Sequence, residues 1–177
     1  MKTFPAALAC GLVIGFAAVA QAGEVTVKSM HLCCPQCDKL ALEALKDVDG
    51  VSGAKADRPN KTVSFTATDD KAAEAGVKAL AEEGFYGKAT HGTKDVKFPE
   101  SGAKKGDKAD SVTLSQIHLC CGQCVTAVKK ALDPVDGVDK VEVDREAGTA
   151  TLSGKSIETT AAVKALNDAG FFAKAKS

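Results

Sequence analysis

His31-Leu32-Cys33-Cys34-Pro35-Gln36-Cys37 decides the reading of this chain, because the chain writes it twice. It returns 87 residues later as His118-Leu119-Cys120-Cys121-Gly122-Gln123-Cys124. The same offset carries Asp49-Gly50-Val51 onto Asp136-Gly137-Val138, and Asp57-Arg58 onto Asp144-Arg145. One deletion later, at an offset of 86, Val77-Lys78-Ala79-Leu80 meets Val163-Lys164-Ala165-Leu166, and Gly84-Phe85-Tyr86 meets Gly170-Phe171-Phe172. Two copies are too few for a solenoid. They predict tandem domains over residues 23–90 and 110–177. Residues 91–109, rich in Lys, Gly, Asp and Ser and without periodicity, read as a flexible linker with some order around Phe98-Pro99.

Working outward from the cysteines, each copy shows the same alternation of elements. Val25-Thr26-Val27 and Val112-Thr113-Leu114 have the period of a strand. The Cys-rich stretch follows, and then Leu40, Leu42 and Leu45, or Val125, Val128 and Leu132, recur at helical spacing. Gly50 and Gly137 suit the left-handed position after that helix. Two strands joined by a turn come next, then a second helix over about Lys71–Glu83 or Glu158–Ala169, stopped by Gly84 or Gly170. A last short strand is expected to hold Phe85 or Phe171. The order is βαββαβ, so the predicted class is α+β, two tandem ferredoxin-like sandwiches.

Composition narrows the function. Lys plus Arg and Asp plus Glu each number 23, a balance that argues against a nucleic-acid binder and against polybasic membrane attachment. Residues 1–22 read as a signal peptide: Lys2, an apolar run from Ala6 to Ala20, and a small-x-small site at Ala20-Gln21-Ala22. An exported chain, periplasmic or extracellular and without a membrane span once processed, is therefore expected. Cys10 would leave with the signal, so six of the seven cysteines remain.

Those six sit three to a copy at a strand-to-helix junction. Thiolates are soft ligands that select Cu(I), Zn(II) and heavier ions such as Hg(II). A helix start favours anions and lowers thiol pKa. Cys34, Cys37, Cys121 and Cys124 form the two CxxC pairs; Cys33 and Cys120 add a third thiol to each, and His31 and His118 would complete a Cys₃His set acceptable to zinc. The competing readings are structural disulfides in an oxidising compartment and a thiol–disulfide oxidoreductase, which also carries CxxC at a helix start. Local disulfides would strand one thiol per copy, and a thioredoxin-like unit is longer than these. No catalysis is expected.

The CxxC at the end of the first strand, the Gly-Val after the first helix and the Gly-aromatic after the second all point one way. Each half resembles the heavy-metal-associated domain of copper chaperones, of copper-transporting ATPases and of periplasmic mercury-binding proteins. The resemblance implies a soft ion held by Cys34 and Cys37, and by Cys121 and Cys124. It implies Cu(I) first, with Zn(II) or Hg(II) as alternatives, and a metal-transporting membrane protein or another carrier as partner. It also places Phe85 and Phe171 as packing near the site. The chain departs from the family in writing His-Leu-Cys before the first CxxC cysteine, where Gly-Met-Thr is usual.

Overall fold

The computed structural model describes residues 22–176. The export segment expected at the N-terminus, with Cys10, lies outside them. In the first half, β1 (Gly23–Lys28), α1 (Pro35–Lys46), β2 (Val51–Asp57), β3 (Thr62–Ala67), α2 (Asp70–Glu82), β4 (Lys88–His91) and β5 (Lys94–Val96) follow one another. In the second come β6 (Lys108–Ser115), α3 (Gly122–Leu132), β7 (Val138–Asp144), β8 (Thr149–Glu158), α4 (Thr159–Asp168) and β9 (Lys174–Ala175). The sheets run β2-β3-β1-β4-β5 and β7-β8-β6-β9, antiparallel throughout. Strand order and connectivity are those of the split βαβ arrangement. Among the described residues, no helix is long and apolar enough to cross a membrane.

Period dictates which faces are buried. Val25 and Val27 of β1, and Val63, Phe65 and Ala67 of β3, alternate inward. They meet Cys37, Ala41 and Leu45 of α1, spaced four apart on one helix face. Cys124, Val128 and Leu132 of α3 repeat the pattern. The start of α2 is capped by Asp69, whose carboxylate accepts from the Ala72 N–H at 2.8 Å. Its end is a left-handed Gly84 (φ +79°), with the Phe85 N–H donating back to the Leu80 carbonyl at 3.0 Å. Gly170 (φ +86°) and the Phe171 N–H to Leu166 carbonyl bond at 2.9 Å end α4 the same way.

Gly76, inside α2, looks like a poor helix residue but leaves room for the Phe65 ring. A Cβ there would lie 2.6 Å from the Phe65 ring tip. Overpacking a buried aromatic costs about 1–3 kcal/mol, and the helix gains about 1 kcal/mol from losing a glycine. Gly76→Ala is therefore expected to lower stability by ~1 kcal/mol, seen as an earlier urea midpoint with an unchanged m-value. A later midpoint would show that Phe65 has slack.

Two expectations need correction. Residues 91–109 are not wholly a flexible linker: His91 closes β4, Lys94–Val96 pair with it as β5, and Lys108 opens β6 opposite Glu158. The reversal uses the two-residue loop Gly92-Thr93, with Gly92 at φ +59°. Phe85 and Phe171 do not lie in β4 and β9. Left-handed Gly84 and Gly170 turn the chain out of each half, and Phe85 and Phe171 bridge to one another instead. Around that bridge the Phe172 N–H donates to the Gly84 carbonyl at 2.9 Å, and the Tyr86 N–H to the Gly170 carbonyl at 3.1 Å. The two halves thus share backbone hydrogen bonds at the ends of α2 and α4.

Candidate metal centre

The cysteine loops begin where β1 and β6 end. Ser29 and Gln116, at matching positions, are left-handed (φ 63° and 62°). The next residues are tied to the hairpins by the Met30 N–H to Lys61 carbonyl and Ile117 N–H to Gly148 carbonyl bonds, both 3.0 Å. The turn swings His31-Leu32-Cys33 and His118-Leu119-Cys120 away from their own sheets and towards the other half. Cys34 and Cys121 then stand at the N-caps of α1 and α3, in extended conformation. Cys37 and Cys124 fall in the first turn, facing the core, and are fully buried.

All six thiols are free, and they converge on one cluster between the halves. Within the first half, Cys33–Cys37 is 3.6 Å and Cys34–Cys37 is 3.7 Å between sulfurs. Within the second, Cys120–Cys124 is 3.7 Å and Cys121–Cys124 is 3.8 Å. Four contacts cross: Cys33–Cys121 at 3.5 Å, Cys33–Cys124 at 3.6 Å, Cys34–Cys120 at 3.6 Å and Cys37–Cys120 at 3.4 Å. Every contact has its counterpart under exchange of the halves.

The histidines join the same cluster. A ring nitrogen of His118 lies with the sulfurs of Cys37, Cys120 and Cys124, all mutually within 4.8 Å; His31 lies so with Cys33 and Cys124, and Cys33, Cys34 and Cys121 form a third such group. The imidazoles are held by aromatic stacking across the halves, His31 on Phe171 at 4.3 Å and His118 on Phe85 at 4.1 Å between ring centroids. Nε2 of each is buried without a hydrogen-bond partner, which buried polar atoms rarely tolerate. Six free thiols at contact distance, with a ring nitrogen of each histidine in the same cluster, are a donor set suited to a soft cation.

Charge state follows burial and neighbours. Burial pushes the Cys33 thiol up to about 12, helped by its contact with Cys121; burial also raises Cys120 well above the usual thiol value. Cys37 is held low chiefly by the nearby Cys124 thiol, against the pull of burial; the same proximity raises Cys124. Cys121 is lowered to about 7: burial opposes ionisation there, but N–H donors at the start of α3 outweigh it. Burial also keeps His31 below its usual value and so in neutral, ligand-competent form.

All eight residues singled out in the sequence are brought together, but across the halves rather than one set per half. Phe85 and Phe171 pack near a cysteine loop as expected, and the loop is the partner half's. Gly84 and Gly170, expected to stop their helices, also let the halves approach: a Cβ on Gly84 would lie 2.2 Å from the His118 backbone nitrogen, and one on Gly170 2.4 Å from that of His31.

The heavy-metal-associated domain family matches residues 113–172. The mercuric transport protein periplasmic component of Pseudomonas fluorescens is 38% identical over 69 residues, covering 38% of this chain and 76% of that protein. A mercuric reductase of Shewanella putrefaciens is 36% identical over 64 residues, of which this chain spans only 12% of the length. Among solved structures, oxidised MerP from Ralstonia metallidurans CH34 aligns at 33% identity over 40% of this chain and 100% of its own, with a TM-score of 0.36.

Proposed function

We propose, from the premise that the chain belongs to the heavy-metal-associated domain family, that it is an exported, non-catalytic binder of a soft ion, built from two such domains in tandem. The observation that carries this is the convergence of six free thiols on one cluster. The cargo is a thiophilic d¹⁰ ion. Hg(II) is favoured by the names of the relatives, Cu(I) by the chemistry of an all-thiolate site, and both should outcompete Zn(II). Capture ends either in handover to a membrane transporter or another carrier, or in sequestration. Anaerobic titration of the reduced protein with Hg(II), Cu(I) and Zn(II), each against a chelator, tests the reading. Tight uptake of Hg(II) or Cu(I) that displaces bound zinc supports it; no uptake of any ion above the chelator sinks it.

Uptake should expel protons. Cys33, near 12, and the raised Cys120 and Cys124 hold their protons at neutral pH, and an ion must displace them. Groups protonated in the free protein and ionised in the complex make affinity fall as pH falls. Each displaced proton contributes about tenfold per pH unit. Competition titrations at pH 6, 7 and 8 should show affinity climbing steadily; a flat profile would contradict thiol ligation.

A further inference from the structure

We infer that the six thiols form two three-sulfur sites that are exchanged between the halves, a conclusion that rests on the soft-ion reading above. One site is Cys34 and Cys37 completed by Cys120; the other is Cys121 and Cys124 completed by Cys33. Each half lends its His-Leu-Cys arm to the CxxC pair of the other, and each site takes one soft d¹⁰ ion.

Direct sulfur contact favours this partition over the looser grouping of Cys33, Cys34 and Cys121, with Cys37, Cys120 and Cys124 as the second set, in which the atoms of each set lie within 4.8 Å of one another but do not all touch. Cys34, Cys37 and Cys120 close a triangle with sides of 3.7, 3.6 and 3.4 Å. Cys121, Cys124 and Cys33 close its counterpart with sides of 3.8, 3.5 and 3.6 Å. The two triangles use every cysteine once. Among the described sulfur contacts, none joins Cys33 to Cys34 or Cys120 to Cys121, so neither half closes a triangle alone. An ion at the centre of a triangle with sides of about 3.6 Å lies about 2.1 Å from each sulfur, near the usual metal–thiolate distance of about 2.3 Å. A linear ion between two thiolates would need them about 4.6 Å apart, wider than either CxxC pair.

The histidines fit the same exchange. His118 travels with Cys120 and lies within 4.8 Å of Cys37 and Cys120 in the first triangle, and also of Cys124 in the second; His31 travels with Cys33 and lies beside Cys33 and Cys124 in the second. Each is clamped by the phenylalanine of the half it visits. A bound ion therefore ties the halves together, and release requires them to part. That consequence favours storage over rapid exchange.

The test uses the reduced chain without residues 1–22, and so without Cys10, carrying Cys121→Ser and Cys124→Ser, which leaves Cys33, Cys34, Cys37 and Cys120. Cd(II) is the probe, read by sulfur-to-cadmium charge-transfer absorption per ion and by chelator competition. Adding Cys120→Ser should remove about a third of the absorption per ion and weaken binding at least about tenfold. Adding Cys33→Ser should leave both nearly unchanged. In the mirror background, Cys34→Ser with Cys37→Ser, the two roles should swap, which guards against a single misfolded variant. The reverse pattern, equal losses, or no Cd(II) uptake in the first background while the wild-type chain binds would each overturn the exchange. Failure of the wild-type chain to bind would overturn the soft-ion reading itself.

Discussion

Serine at Cys37 and Cys124 together is expected to abolish soft-ion uptake while leaving the fold in place. These are the two fully buried thiols, each in the first turn of a helix and each touching sulfurs from both halves. A structural thiolate site is worth about 10–16 kcal/mol. Shared among three sulfurs, that is about 3–5 kcal/mol per ligand, or roughly two to four decades of affinity lost for each. With both central sulfurs gone, each triangle keeps two ligands from opposite halves, Cys34 with Cys120 and Cys33 with Cys121. Chelator competition should then find no binding in the range of the wild type, and far-UV circular dichroism should be unchanged, because Ser nearly matches Cys in volume. Retention of wild-type affinity would mean that the ion is held elsewhere.

What could be read in the sequence was whatever repeats locally. Alternating Val25-Thr26-Val27 and the four-residue spacing of Cys37, Ala41 and Leu45 state their own secondary structure, because burial of one face imposes the period. The ends of α2 and α4 were legible for the same reason: glycine alone takes the left-handed turn without strain. β5 was hidden because Lys94-Asp95-Val96 is polar and nearly all exposed, so no apolar alternation marks it. The two-residue loop Gly92-Thr93 was the available signal, a hairpin turn following a strand. All eight ligand candidates were visible from type and spacing. Their pairing was not, since contacts between Cys33 and Cys121 or Phe85 and His118 join distant residues whose partners no local pattern specifies. Gly84-Phe85 in a single domain reads as a helix end followed by a core aromatic; only the second copy gives that aromatic a foreign histidine to cover.

Alanine at both Gly84 and Gly170 is expected to drive the halves apart. A Cβ on Gly84 would meet backbone atoms of Gln116, Ile117 and His118 at 2.2 to 2.8 Å, and one on Gly170 would meet Ser29, Met30 and His31 at 2.4 to 2.8 Å. Backbone cannot rotate aside as a side-chain tip can, so relief comes from separation. Each substitution also forces an L-residue into a left-handed turn, costing about 1–2 kcal/mol within its own half. Gly106→Ala isolates that second effect, since its φ is +88° and nothing lies within 4 Å of a Cβ there. The control should lose thermal stability but keep its compactness. The double variant should show a larger radius of gyration by small-angle scattering, keep its circular dichroism, and lose at least about tenfold in ion affinity, because neither half closes a three-sulfur site by itself. Excess ion would restore little: even at a hundred times the dissociation constant, ligation contributes only about 2.7 kcal/mol towards the docked form, against backbone clashes on both sides of the pseudo-twofold. Were the double variant to stay compact and bind as before, Gly84 and Gly170 would be helix caps and nothing more, and the thiols would owe their convergence to some other contact.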